Sequence, residues 1–468
     1  MSTLVWFRND LRTTDNPALF YARQQGPVTA CFVVSDMQWR AHDVGDVRLA
    51  FLGRSVNELA QQLALLGIPL QIINAAEFSD VPKAVLELAQ RCGASALAYN
   101  AEYPVNEKQR DLAVERLLTS NHISCQVYHG GITLPPGSVM TKSDSPYSVF
   151  SPFKRRWLEV LQPDEIKPLA APPAQSDPVP VKQLESLAGV ELSLAADLWP
   201  AGEIVAREKL KKFFRNAVSN YAKDRDVPSV NGTSTLSPYL SVGSISSNQC
   251  LYAAQQYNKG ALNSPATQSW VNEIIWREFY RHVIALYPHV NKNRAFRTAY
   301  DALRWRDAPH DLLAWQRGET GYPLVDAGMR QLNKTGWMHN RLRMVTAMFL
   351  TKHLLIDWRQ GERYFMQKLV DGDFASNNGG WQWSASTGTD AAPYFRIFNP
   401  TTQGQRFDKT GVFTRAMIPA LSQVPDRHLF EPHKSELQID YPQPIVEHTF
   451  ARQRAIDLFK AIGDNTSA

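Results

Sequence analysis

Leu4-Val5-Trp6-Phe7, followed by Asp15-Asn16-Pro17 and then by Val28-Thr-Ala-Cys-Phe-Val-Val34, sets the fold class at the amino end of the chain. The first run is short, apolar and of strand type. Asp15-Asn16-Pro17 puts a capping side chain before a proline at the first turn of a helix. Val28 to Val34 is β-branched and apolar, as a strand covered on both faces requires. Outward from there the alternation continues. Helical patterns over 47–66 (closed by Gly67), 81–92 and 106–118 are interleaved with strand-like runs at 70–73, 96–99 and 124–128. The pattern predicts an α/β, doubly wound parallel-sheet domain over residues 1–130. Ligands of such sheets bind beyond the carboxyl ends of the strands. Neither G-x-G-x-x-G nor G-x-x-x-x-G-K-[ST] occurs, so the usual nucleotide loops are absent.

The rest of the chain reads differently. Residues 163–183 are dense in proline, which removes amide donors and disfavours helix before it. The segment 131–200 is therefore expected to be an interdomain linker. From 201 to 468 helical periodicity dominates, which predicts a large all-α domain; no internal repeat is present. A length of 468 residues fits two or three such units. With 44% hydrophobic and 20% charged residues, wholesale disorder is excluded. No apolar run approaches the roughly 18 residues of a membrane helix. The opening MSTLVWFRNDLR lacks a secretory layout. Four scattered cysteines form no C-x-x-C pair, so neither a structural metal site nor a disulfide framework is expected, and a reducing cytoplasm is the expected location. A net charge of +5 permits a nucleic-acid partner without requiring one.

Four stretches of the helical part carry chemistry. Tyr221-Ala-Lys-Asp-Arg225 precedes Asn231-Gly-Thr-Ser-Thr-Leu-Ser237, whose hydroxyls and amides suit either a diphosphate or a Ser/Thr-rich capping loop. Trp270, Glu273, Trp276, Arg277 and Tyr280 share a broad helical face. That face suits a cavity that stacks a base, or an amphipathic helix with an internal Glu–Arg pair. Trp337-Met-His-Asn340-Arg-Leu-Arg343-Met344 puts Asn340, Arg343 and Met344 on one wall, with Arg343 fit for a carboxylate or a phosphate. His339 reads as structural. Leu369-Val-Asp371-Gly-Asp373-Phe-Ala-Ser-Asn377-Asn-Gly-Gly-Trp381-Gln-Trp383 lacks the ligand series of an EF-hand. Its carboxylates and amide suit the edge of a flavin ring instead.

NGTSTLS, WVNEIIWREFYR, GWMHNRLRM and DGDFASNNGGWQWSASTGTDAAPYFRIFNP together resemble the DNA photolyase/cryptochrome family, and within it the class I cyclobutane pyrimidine dimer photolyases. VWFRNDLRTTDNPAL is similar to the start of that family's antenna domain. The resemblance implies light-driven repair of UV-damaged DNA by electron transfer from reduced FAD, by a protein expected to be monomeric. It implies FAD contacts at Tyr221, Thr233, Ser234, Thr235, Leu236, Ser237, Trp270, Arg343, Asp371, Asp373 and Asn377. Asn377 would face flavin N5, and Asp373 and Arg343 would form an ion pair against the ring. Trp276 would stack on a flipped dimer, with Glu273 and Asn340 on its pyrimidine edges and Met344 on its apolar side. Arg225, Arg277, Arg341, Trp383 and Gln403 are the further implied DNA contacts. Trp381, Trp358 and Trp305 match a tryptophan chain from flavin to surface. His42, Asn106, Glu107 and Lys292 match contacts of a methenyltetrahydrofolate antenna, with deazaflavin or no antenna as the alternatives.

The resemblance leaves two other readings, a cryptochrome-type photoreceptor and a (6-4) photolyase. Little sequence extends past the family core, which favours an enzyme over a receptor. In (6-4) photolyases the wall resembles His-His followed four residues on by another His. Here Asn340 and Met344 stand at the two titratable positions, and neither an amide nor a thioether is a general acid near neutral pH.

Overall fold

The computed structural model describes residues 2–262 and 264–465. Strands β1 (Thr3–Phe7), β2 (Val28–Val34), β3 (Leu70–Asn74), β4 (Ala96–Asn100) and β5 (Ser124–Tyr128) form one parallel sheet. Its order is β3-β2-β1-β4-β5, with Thr3 opposite both Val28 and Ala96. The central strands β1 and β4 are buried along their whole length, because helices cover the sheet. Those helices are α1 (Pro17–Gln25), α2 (Asp36–Ala41), α3 (Asp46–Leu65), α4 (Val81–Arg91) and α5 (Val105–Ser120). Asn16 caps α1, its side chain accepting from the amide of Leu19 at 3.2 Å.

The stretch 131–200 is more ordered than a linker needs to be. It holds α6 (Phe150–Val160), whose Phe153 and Trp157 are buried, and a two-stranded hairpin, β6 (Ser186–Leu187) with β7 (Val190–Glu191). The proline-rich part lies on the sheet domain. Gln175 brackets the edge of β2, accepting from the amide of Val28 at 2.8 Å and donating to its carbonyl at 2.9 Å.

Beyond Glu191 every described regular element is a helix. They are α7 (Glu203–Asn216), α8 (Tyr221–Asp224), α9 (Ser237–Ser241), α10 (Ser247–Tyr257) and α11 (Gln268–Leu286). Then follow α12 (Pro309–Arg317), α13 (Pro323–Thr335), α14 (Asn340–Met348), α15 (Trp358–Lys368) and α16 (Phe374–Ala385). The last are α17 (Pro400–Phe407), α18 (Val412–Met417) and α19 (His448–Asn465).

By packing, the residues up to Ser219 go with Ser234–Pro288 and Val370–Ala375 in a first unit. Asn220–Thr233, His289–Leu369 and the residues from Ser376 onward form a second. The core of the second unit is built on Trp315, Trp358 and Trp381, all at most 2% exposed. A π-helical turn, Phe349–His353, carries Lys352 inward. The Lys352 ammonium nitrogen donates to the carbonyl of Ala385 at 3.2 Å and sits 3.3 Å from the centre of the Phe459 ring on α19. Burial holds this amine well below its ordinary pKa. Beside it, His353 Nε2 and His448 Nδ1 lie 2.9 Å apart, and burial brings His353 down to about 3. No described helix is long and apolar enough to cross a membrane.

Candidate functional site

In the first unit α11 turns one face inward and one outward. Arg277 is committed to the interior: Nη1 donates to the Gly131 carbonyl and the Ser247 hydroxyl at 3.1 Å each, and Nη2 to the Leu240 carbonyl at 2.9 Å. Burial and the neighbouring Arg281 lower its pKa to about 10, which still leaves it charged at neutral pH. One turn on, Arg281 shares the Gly131 carbonyl and pairs with Asp373 at 3.2 Å. Glu278 accepts from the Thr133 amide at 2.8 Å, and His282 bonds the Leu134 carbonyl at 3.0 Å. This inner face therefore fastens α11 to the 131–134 loop. Glu273, Trp276 and Tyr280 remain half-buried. The Trp276 ring is stacked on Phe150 of α6, centroids 3.7 Å apart at 7°, so one of its two faces is already covered. Trp270 is 3% exposed and packed by Phe213 and Phe214, so it is a wall rather than a free platform.

Asp371 and Asp373 lie in the same unit as Arg48 and Arg281. Arg48 is buried, and burial lowers its pKa while the charges of Asp373 and Asp371 counter that. Its Nη1 has no hydrogen-bond partner among the described residues. Two cations thus balance the two carboxylates that flank Gly372. Ser234, Thr235, Leu236 and Ser237 also belong here. Thr235 has φ +49°, a left-handed conformation costly for a β-branched residue and of the kind found at ligand clamps. Ser237 opens α9, a helix of only five residues, so the helix dipole expected at this loop is a short one. Leu236 is buried.

In the second unit, Tyr221 is the buried first residue of α8, and the Arg225 guanidinium lies 5.5 Å over its ring. Thr233 is half-buried. His339 caps α14, its Nδ1 accepting from the Arg341 amide at 3.2 Å. Burial lowers His339 to about 4, so it is neutral at physiological pH. Asn340 is exposed and Met344, one turn later, half-buried. Arg341 pairs with Asp226 at 2.8 Å and lies over Phe407. Arg343 donates from Nε to the Met338 carbonyl at 2.8 Å. Arg343 and Asp373 belong to different units, so their pairing stays a proposal. Gln403 sits on α17 with a buried Oε1 that has no partner among the described residues, and Trp383 is half-buried.

The orientation of Asn377 follows from its neighbour. Its Nδ2 donates to the Glu362 carbonyl at 2.9 Å. A carbonyl only accepts, so the amide nitrogen must face it, and Oδ1 is left as an acceptor. A second chain of bonds holds Glu362. The Phe296 amide donates to Gln382 Oε1 at 2.8 Å, Gln382 Nε2 donates to Asn378 Oδ1, and Asn378 Nδ2 donates to Glu362 Oε1, both at 2.9 Å.

The three tryptophans of the expected chain share the core of this unit. The Trp381 ring meets Trp315 and Phe365 edge-on, centroids 6.0 and 4.9 Å away. It also lies against α15 at Gly361, one turn after Trp358. Trp358 is 1% exposed. Trp305 is half-buried, with its edge on Phe459. The segment that carries Trp305 is tied to the one before Trp358: the Arg306 amide donates to the Leu355 carbonyl at 2.7 Å, and Nη1 to that of Leu354 at 2.8 Å.

Three of the four antenna candidates meet on the sheet domain. Asn106 Nδ2 and Gln38 Nε2 lie 2.9 and 3.0 Å from His42 Nε2, which makes that nitrogen the acceptor. The Nδ1–H of His42 then faces Glu107, 3.8 Å away. Burial lowers His42 and pushes Glu107 up to about 7. Lys292 is exposed and belongs to the second unit.

Sequence reasoning passed over Phe150, Arg281, Glu362 and Arg48. Arg281 carried a signal, since it follows Arg277 by four residues on one helix face. The other three are brought in from distant segments and carried none.

Comparison with known proteins points the same way. The family description "DNA photolyase" matches residues 3–174, and "FAD binding domain of DNA photolyase" matches residues 270–461. The chain belongs to the DNA photolyase family. It is 46% identical to the deoxyribodipyrimidine photo-lyase of Salmonella typhimurium and 45% identical to that of Escherichia coli, with 98% of each chain covered in both cases. Among solved structures it is similar to a bacterial class III photolyase from Agrobacterium tumefaciens, with TM-score 0.90 and 35% identity, covering 99% of this chain and 98% of that one.

Proposed function

We propose that this protein repairs cyclobutane pyrimidine dimers in UV-damaged DNA as a light-driven lyase that uses FAD. The observation that carries the lesion class is the wall at α14. The one histidine there is neutral, buried and spent on capping the helix, while the groups offered outward are Asn340 and Met344. This wall can hydrogen-bond and pack a dimer but has no proton to give, which suits ring opening and not the group transfer that (6-4) repair demands.

The donors of each unit suit FAD: in the first, two aspartates balanced by arginines and a hydroxyl-rich loop strained at Thr235; in the second, the amide of Asn377 with its nitrogen fixed. Bound in its reduced form and excited by light, FAD would supply reversible one-electron chemistry to the dimer with no net redox change. Tyr221, Thr233, Ser234, Thr235, Leu236, Ser237, Trp270, Arg343, Asp371 and Asp373 hold it. Asn377 Oδ1 would accept a hydrogen bond from the N5–H of the reduced ring without adding a negative charge. Trp276 offers its uncovered face to the flipped dimer, a contact worth about 1–3 kcal/mol. Photolyases as a class are an established case of turning the target nucleotide out of the duplex, and that step is carried over from them. Glu273 and Asn340 bond the pyrimidine edges. Arg225, Arg341, Trp383 and Gln403 contact the strand; Arg277, spent on interior acceptors, positions α11 instead. Trp381, Trp358 and Trp305 relay electrons to oxidised flavin. His42, Asn106 and Glu107, with Lys292, hold a folate antenna. The protein acts as a cytoplasmic monomer, in keeping with four unpaired cysteines.

The test is illumination of the reduced enzyme with oligonucleotides that carry each lesion, followed by chromatography. Restored thymines are expected from the cyclobutane substrate alone. Repair of the (6-4) substrate, or none of the cyclobutane one with FAD reduced, overturns the reading.

A further inference from the structure

Trp358 differs from the other two tryptophans of the relay in one respect. The guanidinium of its neighbour Arg359 lies over its ring, 4.7 Å from the centroid. Among the described residues no cation is placed over the ring of Trp381 or Trp305. The guanidinium is held there from several sides. Nε donates to the Asn293 carbonyl at 2.6 Å, Nη1 to Asp357 at 3.1 Å and Nη2 to Asp301 at 2.7 Å. Asp357 also caps α15 by accepting from the Arg359 amide at 3.0 Å, and Asp301 is itself fixed by the Ala295 amide at 2.9 Å. By contrast, of the two arginines flanking Trp305, Arg304 is exposed and Arg306 is turned to Asp311 and to the Leu354 carbonyl.

A cation is attracted to the face of a neutral indole and repelled by an indole that has lost an electron. Trp358 is buried and the Arg359 side chain only 26% exposed, so water screens that repulsion in part, whereas the half-buried Trp305 is nearer to solvent. We propose that Arg359 is a positioning residue of the relay: it makes Trp358 a poor resting place for the electron hole and so favours the onward step from Trp358 to Trp305. The inference rests on the relay reading of the three tryptophans. The electrons balance as follows. Trp381 gives one electron to photoexcited oxidised flavin, Trp358 refills Trp381, and Trp305 refills Trp358. The oxidised Trp305 then loses its indole proton to water, and a thiol restores it by giving one electron and one proton, itself becoming a thiyl radical.

The test uses transient absorption of tryptophan radicals after a laser flash on the FAD-loaded, oxidised protein. In Trp305→Phe the hole stops at Trp358 and returns to the flavin by way of Trp381, uphill. Adding Arg359→Gln stabilises the hole on Trp358, so the radical should live about tenfold longer than in Trp305→Phe alone, the effect of about 1.4 kcal/mol. Adding Arg359→Lys keeps the charge and should restore most of the short lifetime. Adding Asp301→Asn removes a balancing carboxylate and should shorten the lifetime further, a change of opposite sign that mere loosening would not give. That arm also carries the test if the Gln variant does not fold. If Trp305→Phe abolishes stable photoreduction but the lifetimes are the same with and without these changes, the role of Arg359 is refuted while the relay stands. If Trp305→Phe leaves photoreduction intact, the relay reading falls and the role of Arg359 with it.

Discussion

Gly361→Ala tests how tightly the flavin-side tryptophan is held. Gly361 lies in the interior of α15, where alanine ordinarily stabilises by about 1 kcal/mol. Here a methyl group would fall well inside contact distance of Cη2 and Cζ3 of Trp381, and 2.6 Å from Cδ2 of Leu350. The indole cannot swing aside, because Trp315 and Phe365 stand against it and it is only 2% exposed. Overpacking a well-filled core costs about 1–3 kcal/mol, occasionally more. The propensity gain offsets about 1 kcal/mol of this, which leaves a net loss of up to about 2 kcal/mol. Urea unfolding followed by tryptophan fluorescence should show a lower midpoint at unchanged slope. Near-UV circular dichroism should change as the indole shifts, and flavin photoreduction should slow. An alanine variant as stable as the wild type, with the same dichroism, would refute the close approach of α15 to Trp381.

Asn377→Asp sets a carboxylate against the Glu362 carbonyl and removes the donor between them; a loss of about 1–3 kcal/mol is expected, and a spectroscopic redox titration should show the flavin harder to reduce. Unchanged reduction would count against the N5 assignment. Trp276→Ala should weaken binding to a dimer-containing duplex by about 1–3 kcal/mol, with little change on undamaged DNA, as measured by fluorescence anisotropy at fixed salt. Equal losses on both would remove the stacking role. Glu107 gives a pH signature. Its folded pKa of about 7 lies above the unfolded value of 4.5, so the folded protein keeps a proton that the unfolded chain has lost, and stability falls as pH rises through that window. Glu107→Gln should therefore gain on the wild type in urea midpoint between about pH 5 and about pH 8. Parallel pH profiles would show that Glu107 is not buried as described.

Much of the sheet domain could be read from the chain because its signals are local. Strand β2 runs over Val28–Val34 and β5 over Ser124–Tyr128, as the apolar runs indicate, and α1 starts at the Asn16-Pro17 signal. Helix α6 was hidden because Ser151 and Pro152 in its first turn read as loop, although Phe150, Phe153 and Trp157 fall at i, i+3 and i+7 on one face. The shared face of α11 was legible, but its division was not. Nothing local says that Arg277 would turn in to the Gly131 carbonyl, or that Phe150 would cover one side of Trp276. The amide of Asn377 could be placed by motif, yet its orientation depends on the Glu362 carbonyl, a backbone group from another helix. Long-range pairing of this kind leaves no periodic trace in a single sequence.

The way α19 meets Lys352 bears on how the chain is made. Synthesis runs from the amino end, and domains generally fold as they emerge. The sheet domain can close early, since its last strand ends at Tyr128. The second unit cannot. Lys352 is translated long before Phe459, the ring that covers its ammonium nitrogen, and His353 long before His448. Until α19 leaves the ribosome, that amine stays hydrated and charged, and the interior around Ala385 stays open to water. Completion of the helical half thus waits on α19, and a ribosome stalled within that helix would display an unfinished core to chaperones and proteases.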